Sequence, residues 1–409
     1  MEYHDSERAA EMAARTREFV DEVVIPRERE YLGDGPIPGS VIAELQADAR
    51  ERDLYAPQIP EEYGGQGLDF RDMLPVFEAA GRSLVGAHAL RIAAPDEGNM
   101  HTLEQFGTAD QKERWMQPLV DGEIFSAFSM TEPHDGAGSD PKMLRTTAER
   151  DGDEWVINGH KWWTTQGSEA DLLIVFARTD EDRHPYAGSS TFLVPADADG
   201  VEIVRDIPHI GGDMTGQSHA EIVYDDVRIP AENLLGELNE GFTVVQQRLG
   251  PARTTHCMRF SGMAERALDV AKAYMAEREA FGTPLEEKQA LRHRLADAEI
   301  QLHAARTMIR HAAEAIAEGK EARVEVGMSK VFAANAFQEV IDEALQFTGG
   351  MGISRDLPLS YFYDAVRQFR IIDGADEVHR RVIARNALED IDASELETIT
   401  RYGEPRRVE

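Results

Sequence analysis

Asn158-Gly-His-Lys-Trp-Trp-Thr-Thr-Gln-Gly167 reads as a β-strand, because aromatic and β-branched residues fill it and glycine closes it. Strand alternation sends Trp162 and Trp163 to opposite faces, so one indole can stack on a planar ligand while the other packs in the core. Two core tryptophans are the plainer reading. Around this stretch, from Phe125 to Arg228, lie further short β-rich runs, among them DLLIVFAR, STFLVPA and AEIVYDDVRIP. Asp151-Gly152 and Asn158-Gly159 supply hairpin-type turns between runs. Outward on both sides the periodicity becomes helical. Towards the N-terminus, Ser40 precedes VIAELQADARERDL, and Thr108-Ala-Asp-Gln111 has capping-box spacing before a helix running to Gly122. Beyond Gly241 long helical periods cover 243–279, 287–318, 322–347 and 376–391, with Gly and Pro gathered at 281–285 and 348–358. The sequence therefore predicts an α+β, mostly α chain: a helical domain over 1–124, a β domain over 125–238 and a helical bundle over 239–409.

Composition narrows the function. At roughly 150 residues per domain, 409 residues accommodate two or three. Asp and Glu number 76 against 43 Lys and Arg, a net charge of -33 that repels nucleic-acid phosphates and anionic lipid. Nucleic-acid and membrane partners are thus disfavoured. Only seven of the cations are lysine. A surface so acidic and lysine-poor predicts a cytoplasm of high ionic strength, a halophilic habit, with an ordinary acidic protein as the alternative. The N-terminal MEYHDSERAAEMAARTREF has no apolar segment of the secretory kind, and no long apolar run would span a bilayer, so a cytoplasmic location is expected. Cys257 is the single cysteine, which excludes an intrachain disulfide and any multi-cysteine metal site; it reads as core packing. No metal site is expected.

Three segments can carry chemistry. Phe128-Ser-Met-Thr-Glu-Pro133 runs into Gly136-Ala-Gly-Ser-Asp140, a strand entering a Gly-rich loop where backbone amides can approach a ligand. Gln346-Phe-Thr-Gly-Gly-Met-Gly352 ends a helix in glycines. Arg370-Ile-Ile-Asp-Gly-Ala-Asp-Glu-Val-His379 brings Asp373 to the threshold of another helix, where it is either a site carboxylate or an N-cap.

In this order and spacing the segments resemble the acyl-CoA dehydrogenase family over nearly the whole chain. Ala94-Pro-Asp-Glu-Gly-Asn-Met100, Lys161-Trp-Trp, Arg248-Leu-Gly-Pro-Ala-Arg253, His256-Cys-Met-Arg259 and Ile372-Asp-Gly-Ala-Asp-Glu-Val-His379 are most similar to the dehydrogenase domain of large members that also carry a kinase-like domain. No kinase-like segment is read here. The resemblance implies the acyl-CoA dehydrogenase fold, with an N-terminal helical domain, a central β-barrel-like domain and a C-terminal four-helix bundle. It further implies FAD between the β domain and the bundle. Met130, Thr131, Trp163 and Thr165 match the flavin-ring contacts, Ser139 a residue near flavin phosphates and thioester, and Arg278 the pyrophosphate arginine. Gln289, Gln346, Gly349 and Gly350 match residues that receive the FAD of a neighbouring subunit, which implies a homodimer or homotetramer.

By the same resemblance Asp373 is the base that takes the α-proton of an acyl-CoA, with Ser139, Arg253 and Gly374 on the substrate side. The β-hydride passes to flavin N5, the product is a trans-2-enoyl-CoA, and electron-transfer flavoprotein takes the electrons, a role in fatty-acid β-oxidation. Most relatives carry Glu-Gly-Thr where this chain has Asp373-Gly-Ala375, so the base is one methylene shorter; the related subgroup has Asp-Gly-Pro there, which implies a retained carboxylate. Ala252 occupies the position of an alternative base. A closed, dry pocket is expected to raise the pKa of Asp373. His88 to Glu104 are expected at the acyl pocket, and a 4-hydroxy or 4-phospho acyl-CoA is one candidate substrate. The competing readings are a flavin-dependent monooxygenase or oxidase on the same fold, and a non-catalytic flavoprotein.

Overall fold

The computed structural model describes residues 5–134, 136–138, 140–212, 214–389 and 391. The helices of the N-terminal part include Glu7–Phe19, Gly39–Glu51, Met73–Gly81 and Asp96–Phe106. Thr108 and Gln111 form the expected capping box, and Gly122, in the left-handed conformation, ends the chain's run of helix. Wide π-type turns at Val20–Val24 and Lys112–Met116 come just before Pro26 and Pro118, whose missing N–H interrupts the helical ladder.

The β domain has strands β1 (Ser126–Ser129), β2 (Thr147–Asp151), β3 (Glu154–Thr165), β4 (Leu172–Arg178), β5 (Ser189–Pro195), β6 (Val201–Asp206), β7 (His219–Pro230) and β8 (Leu234–Leu235). Their order is β6-β7-β3-β2-β4-β5-β8, and β1 pairs in parallel with β4. Asp151-Gly152 makes the predicted turn between β2 and β3. Asn158-Gly159 does not: β3 runs straight through it, paired to β7, with a register shift at that point. Glycine is there for room. A Cβ on Gly159 would lie 2.3 Å from the Thr146 hydroxyl on the approach to β2.

The bundle has helices at Gly241–Glu277, Gln289–Ala317, Arg323–Thr348 and Asp376–Glu389, close to the predicted spans. A further helix, Leu359–Gln368, occupies a segment read only as connection. Alanines 264, 267, 271, 298, 305, 333, 334 and 344 are buried in the shared core, so the helices approach closely. Closest of all is the crossing of Met73–Gly81 over the first bundle helix. A Cβ on Gly81 would sit 2.0 Å from the Arg259 carbonyl oxygen, and one on Gly262 2.1 Å from that of Glu78. Cys257 is buried near this crossing, as expected for core packing.

Asp96 ties the domains together. Its carboxylate accepts from the N–H and hydroxyl of Ser126 (2.9 and 2.7 Å) and from Gln166 (3.0 Å), and pairs with Arg91 at 3.2 Å. Asn99 next to it bridges Ser126 and Arg248, joining the N-terminal part, β1 and the first bundle helix. The three units therefore enclose one cleft.

Candidate active site

The cleft has a volume of ≈ 1280 Å³ and is walled by all three units. Asp373 enters it from the turn between helices Leu359–Gln368 and Asp376–Glu389, in the left-handed region at φ 54, with Gly374 following at φ 94. A non-glycine residue held there is strained, and its neighbours must impose it. They do so through carbonyl groups. Arg253 donates to the Asp373 carbonyl at 2.7 Å, and Lys330 donates to that of Gly374 at 3.0 Å. Lys330 is itself buried and paired with Asp376 at 3.1 Å.

The N-cap reading of Asp373 fails. The last helix begins at Asp376, and the Asp373 carboxylate accepts no backbone N–H among the described residues; its Oδ2 is buried without a hydrogen bond. His256 Nδ1 lies 3.2 Å from that oxygen. Sequence reasoning also expected a raised pKa. Burial does push upward and is the largest influence, but His256, Arg253, Arg248 and Lys330 outweigh it, so the carboxyl lies below the ordinary aspartate value. Asp373 is thus ionised at neutral pH. The N–H groups of Asp373 and Gly374 donate to no described residue and remain available.

The second wall is the turn after β1 and the end of β3. Met130, Thr131, Trp163 and Thr165 line the cleft together with Asp373, Gly374 and Arg253. Trp162 and Trp163 correct the alternation argument. A register shift between Lys161 and Thr164, with Trp163 at φ 54, breaks the strand's two-residue period there. Both indoles therefore line the cleft, and neither is a core residue; Trp163 is 44% exposed. An indole so exposed on a cleft wall suits a planar ring, which fits a flavin. Thr165 holds its hydroxyl 2.9 Å from His219 Nδ1.

Beneath this wall lies a buried ion pair that sequence reading missed. Glu132 accepts from the N–H groups of Ala137 (2.9 Å), Arg145 (2.8 Å) and Thr146 (2.8 Å), and meets Lys161 at 3.0 Å. Lys161 also donates to the Met130 carbonyl at 2.8 Å. Burial pulls Lys161 down to about 8, opposed by Glu132. Glu132 is held below its ordinary value, because Lys161 and the Thr146 and Ala137 N–H groups outweigh burial. The pair pins the Gly-rich turn to β3. Ser139 lies outside the described residues.

Part of the cleft lining is polar. His88, Ala93, Ala94, Pro95, Glu97 and Gly98 reach it from the segment expected to border the acyl pocket, joined by Arg248 and Arg259. Arg248 stacks over Phe128 at 4.1 Å, Arg259 donates to the Ile92 carbonyl at 2.6 Å, and Glu97 accepts from Thr255 at 3.3 Å. The Nη2 atom of Arg259 is buried without a partner. Arg248, Arg259 and His256 stood in the sequence only as parts of longer similar stretches; nothing in their spacing marked them as cleft residues.

The remaining predicted residues lie elsewhere. Arg278, Gln289, Gln346, Gly349 and Gly350 are exposed at one end of the bundle, off the cleft, where the first bundle helix ends, the second begins and the third ends. Among the described residues, no cluster of His, Cys, Asp and Glu could hold a metal ion.

Three family models divide the chain as the structure does. Residues 6–123 match the acyl-CoA dehydrogenase N-terminal domain, 127–227 the middle domain and 239–388 the C-terminal domain. The chain belongs to the acyl-CoA dehydrogenase family. It is 41% identical over 400 residues to FadE2 of Mycobacterium tuberculosis, described as a probable acyl-CoA dehydrogenase, covering 95% of this chain and 97% of that one. Mouse acyl-CoA dehydrogenase family member 11 is 35% identical over 406 residues; the match covers 95% of this chain and 51% of that protein. The solved butyryl-CoA dehydrogenase of Megasphaera elsdenii superposes with a TM-score of 0.84 at 29% identity, covering 95% of this chain and 100% of that one. The family assignment makes this chain an oxidoreductase of the flavin-dependent dehydrogenase type. No helix among the described residues is long and apolar enough to cross a membrane.

Proposed function

We propose that the protein is an FAD-dependent dehydrogenase that converts an acyl-CoA thioester to its trans-2-enoyl-CoA, with Asp373 as the base. One observation carries this reading: an ionised carboxylate whose Oδ2 is buried without a hydrogen bond lines a cleft of ≈ 1280 Å³ that all three units wall. An α-proton beside a thioester is a weak acid, so the base must be placed at hydrogen-bond range and the carbonyl polarised. Asp373 supplies the first requirement. The free N–H groups of Asp373 and Gly374 are suited to the second, as donors to the thioester oxygen. Arg253 and Lys330 keep that turn from relaxing. FAD, held by Met130, Thr131, Trp163 and Thr165, supplies the acceptor for the β-hydride. A neighbouring copy's Arg278, Gln289, Gln346, Gly349 and Gly350 complete the cofactor site in a homodimer or homotetramer. Electron-transfer flavoprotein is the proposed partner for reoxidation, and a fatty-acid β-oxidation step in a high-salt cytoplasm the proposed setting.

The polar part of the lining bears on the acyl group. Glu97, Arg248 and Arg259 Nη1 have partners within the protein, but an unsubstituted long chain would leave the buried Arg259 Nη2 without one, at a cost of about 1–3 kcal/mol. A hydroxyl or an anionic substituent on the acyl chain answers the free Arg259 Nη2. The test is a panel of acyl-CoAs, including straight-chain, 4-hydroxy and 4-phospho forms, assayed with an artificial electron acceptor. FAD-dependent turnover with a preference for the substituted forms supports both parts. Turnover of straight chains alone overturns the substituent, and no reduction by any acyl-CoA, with rapid reaction of reduced enzyme with oxygen, favours an oxygenase.

A further inference from the structure

His256 stands one helical turn beyond Ala252 on the first bundle helix, beside Asp373. Its Nδ1 is 2.8 Å from the Ala252 carbonyl and 3.2 Å from Asp373 Oδ2. A carbonyl only accepts, so the proton sits on Nδ1 and its hydrogen bond goes to Ala252, while Asp373 Oδ2 lies beside that N–H without hydrogen-bond geometry. The ring is wedged between Phe260 and Phe369, with centroids at 6.0 and 5.8 Å, which fixes its plane. Burial and Arg259 bring its pKa down to about 4, so it is neutral at working pH and acts on Asp373 as a charge only in the acid range. The other charged or titratable groups facing the pair are Arg248, Arg253 and Arg259 on its own helix, Lys330 on the third bundle helix, and Glu97 and His379.

We infer that His256 is a positioning residue: its Nδ1–H, anchored by the Ala252 carbonyl, steers Asp373 Oδ2 and leaves the other carboxylate oxygen turned to the substrate. This deepens the reading of Asp373 as base and rests on it. A short carboxylate needs such a guide, since a misplacement of about 1 Å can cost on the order of 100-fold in rate. A neutral donor steers without forming a tight ion pair that would quench the base. His256 also occupies the helix face that Ala252 leaves free of a side-chain base.

The test reads proton abstraction alone. 3,3-Dimethylbutyryl-CoA has α-hydrogens but no β-hydrogen, so its deuterium uptake from D₂O, followed by mass spectrometry on holoenzyme, reports the base without hydride transfer. In His256→Asn the amide nitrogen falls near the Nδ1 position, whereas in His256→Gln it falls near Nε2; His256→Leu has no donor. Exchange is expected to fall roughly 10- to 100-fold in His256→Gln and His256→Leu, with the acidic limb of its pH profile shifted upward because the anion loses the N–H dipole beside it. His256→Asn should restore most of the rate and the original limb. Equal behaviour of the Asn and Gln variants, or an unmoved limb in Gln and Leu, overturns the inference. Asp373→Asn separates the two readings: if it still exchanges, the base assignment fails, and if it is dead while the His256 variants match wild type, only the role of His256 fails.

Discussion

Asp373 illustrates how a sequence can name a residue and misjudge its state. The motif placed the carboxylate at a turn that borders the cleft, but its depressed pKa comes from His256, Arg253, Arg248 and Lys330, which lie 43 to 125 positions away in the chain and converge only on folding. Asp373→Glu should retain FAD and partial activity, because the added methylene moves the carboxylate by about 1.5 Å and costs on the order of 100-fold; anaerobic flavin reduction measures it. Glu132 and Lys161 were invisible as a pair for the same reason. Removing one partner of a buried pair costs about 3–5 kcal/mol. Lys161→Met should therefore lower Tm sharply and weaken FAD retention, since Met130 and Thr131 ride on the turn it pins. Thermal melts with and without added FAD check both; retention of FAD at wild-type affinity would show that the turn holds without the pair.

At the scale of elements, long amphipathic helices and the Thr108–Gln111 capping box were legible because their signals are local. Asn158-Gly159 misled because the same dipeptide serves a hairpin turn and a close strand approach, and only the Thr146 side chain opposite decides between them. The tryptophan alternation failed at a bulge, which leaves no two-residue signature. Helix Leu359–Gln368 had a readable signal, with Leu359, Phe362 and Val366 buried at helical spacing after Pro358, obscured by the Gly- and Pro-rich run before it. The glycine crossing gives an element-scale prediction. Gly262→Ala places a methyl against a backbone oxygen, so overpacking should cost roughly 1–3 kcal/mol, read as a lower Tm. An unchanged Tm would mean that the helices can separate freely there.

For the molecule as a whole, acid should unfold it early. His88, His219, His256 and His379 are each brought down to about 4, in every case chiefly by burial. Unfolded histidine titrates near 6.5, so between these values the unfolded chain binds more protons than the folded one. Stability is therefore full above about pH 6.5 and falls as pH drops towards 4, by at most about 1.4 kcal/mol per pH unit per histidine. Asp373 and Glu132, with lowered pKa values, add losses below the ordinary carboxylate range. Thermal melts from pH 8 to 4 should show this decline, and a flat profile to pH 5 would contradict it. The charge of -33 adds a salt dependence, since the screening length shrinks from about 10 Å at 0.1 M to about 3 Å at 1 M. Tm and assembly, followed by light scattering, should rise with salt; full stability and an intact oligomer in dilute buffer would argue for an ordinary acidic protein.

The most direct measurement mixes FAD-loaded protein anaerobically with an accepted acyl-CoA in a stopped-flow instrument and follows the flavin absorbance in wild type and Asp373→Asn. The account predicts rapid bleaching in wild type and a fall of more than about 10²–10⁴-fold in the variant, with FAD content and acyl-CoA binding retained. Wild-type bleaching in Asp373→Asn, or an oxidised flavin in wild type under saturating acyl-CoA, would contradict it.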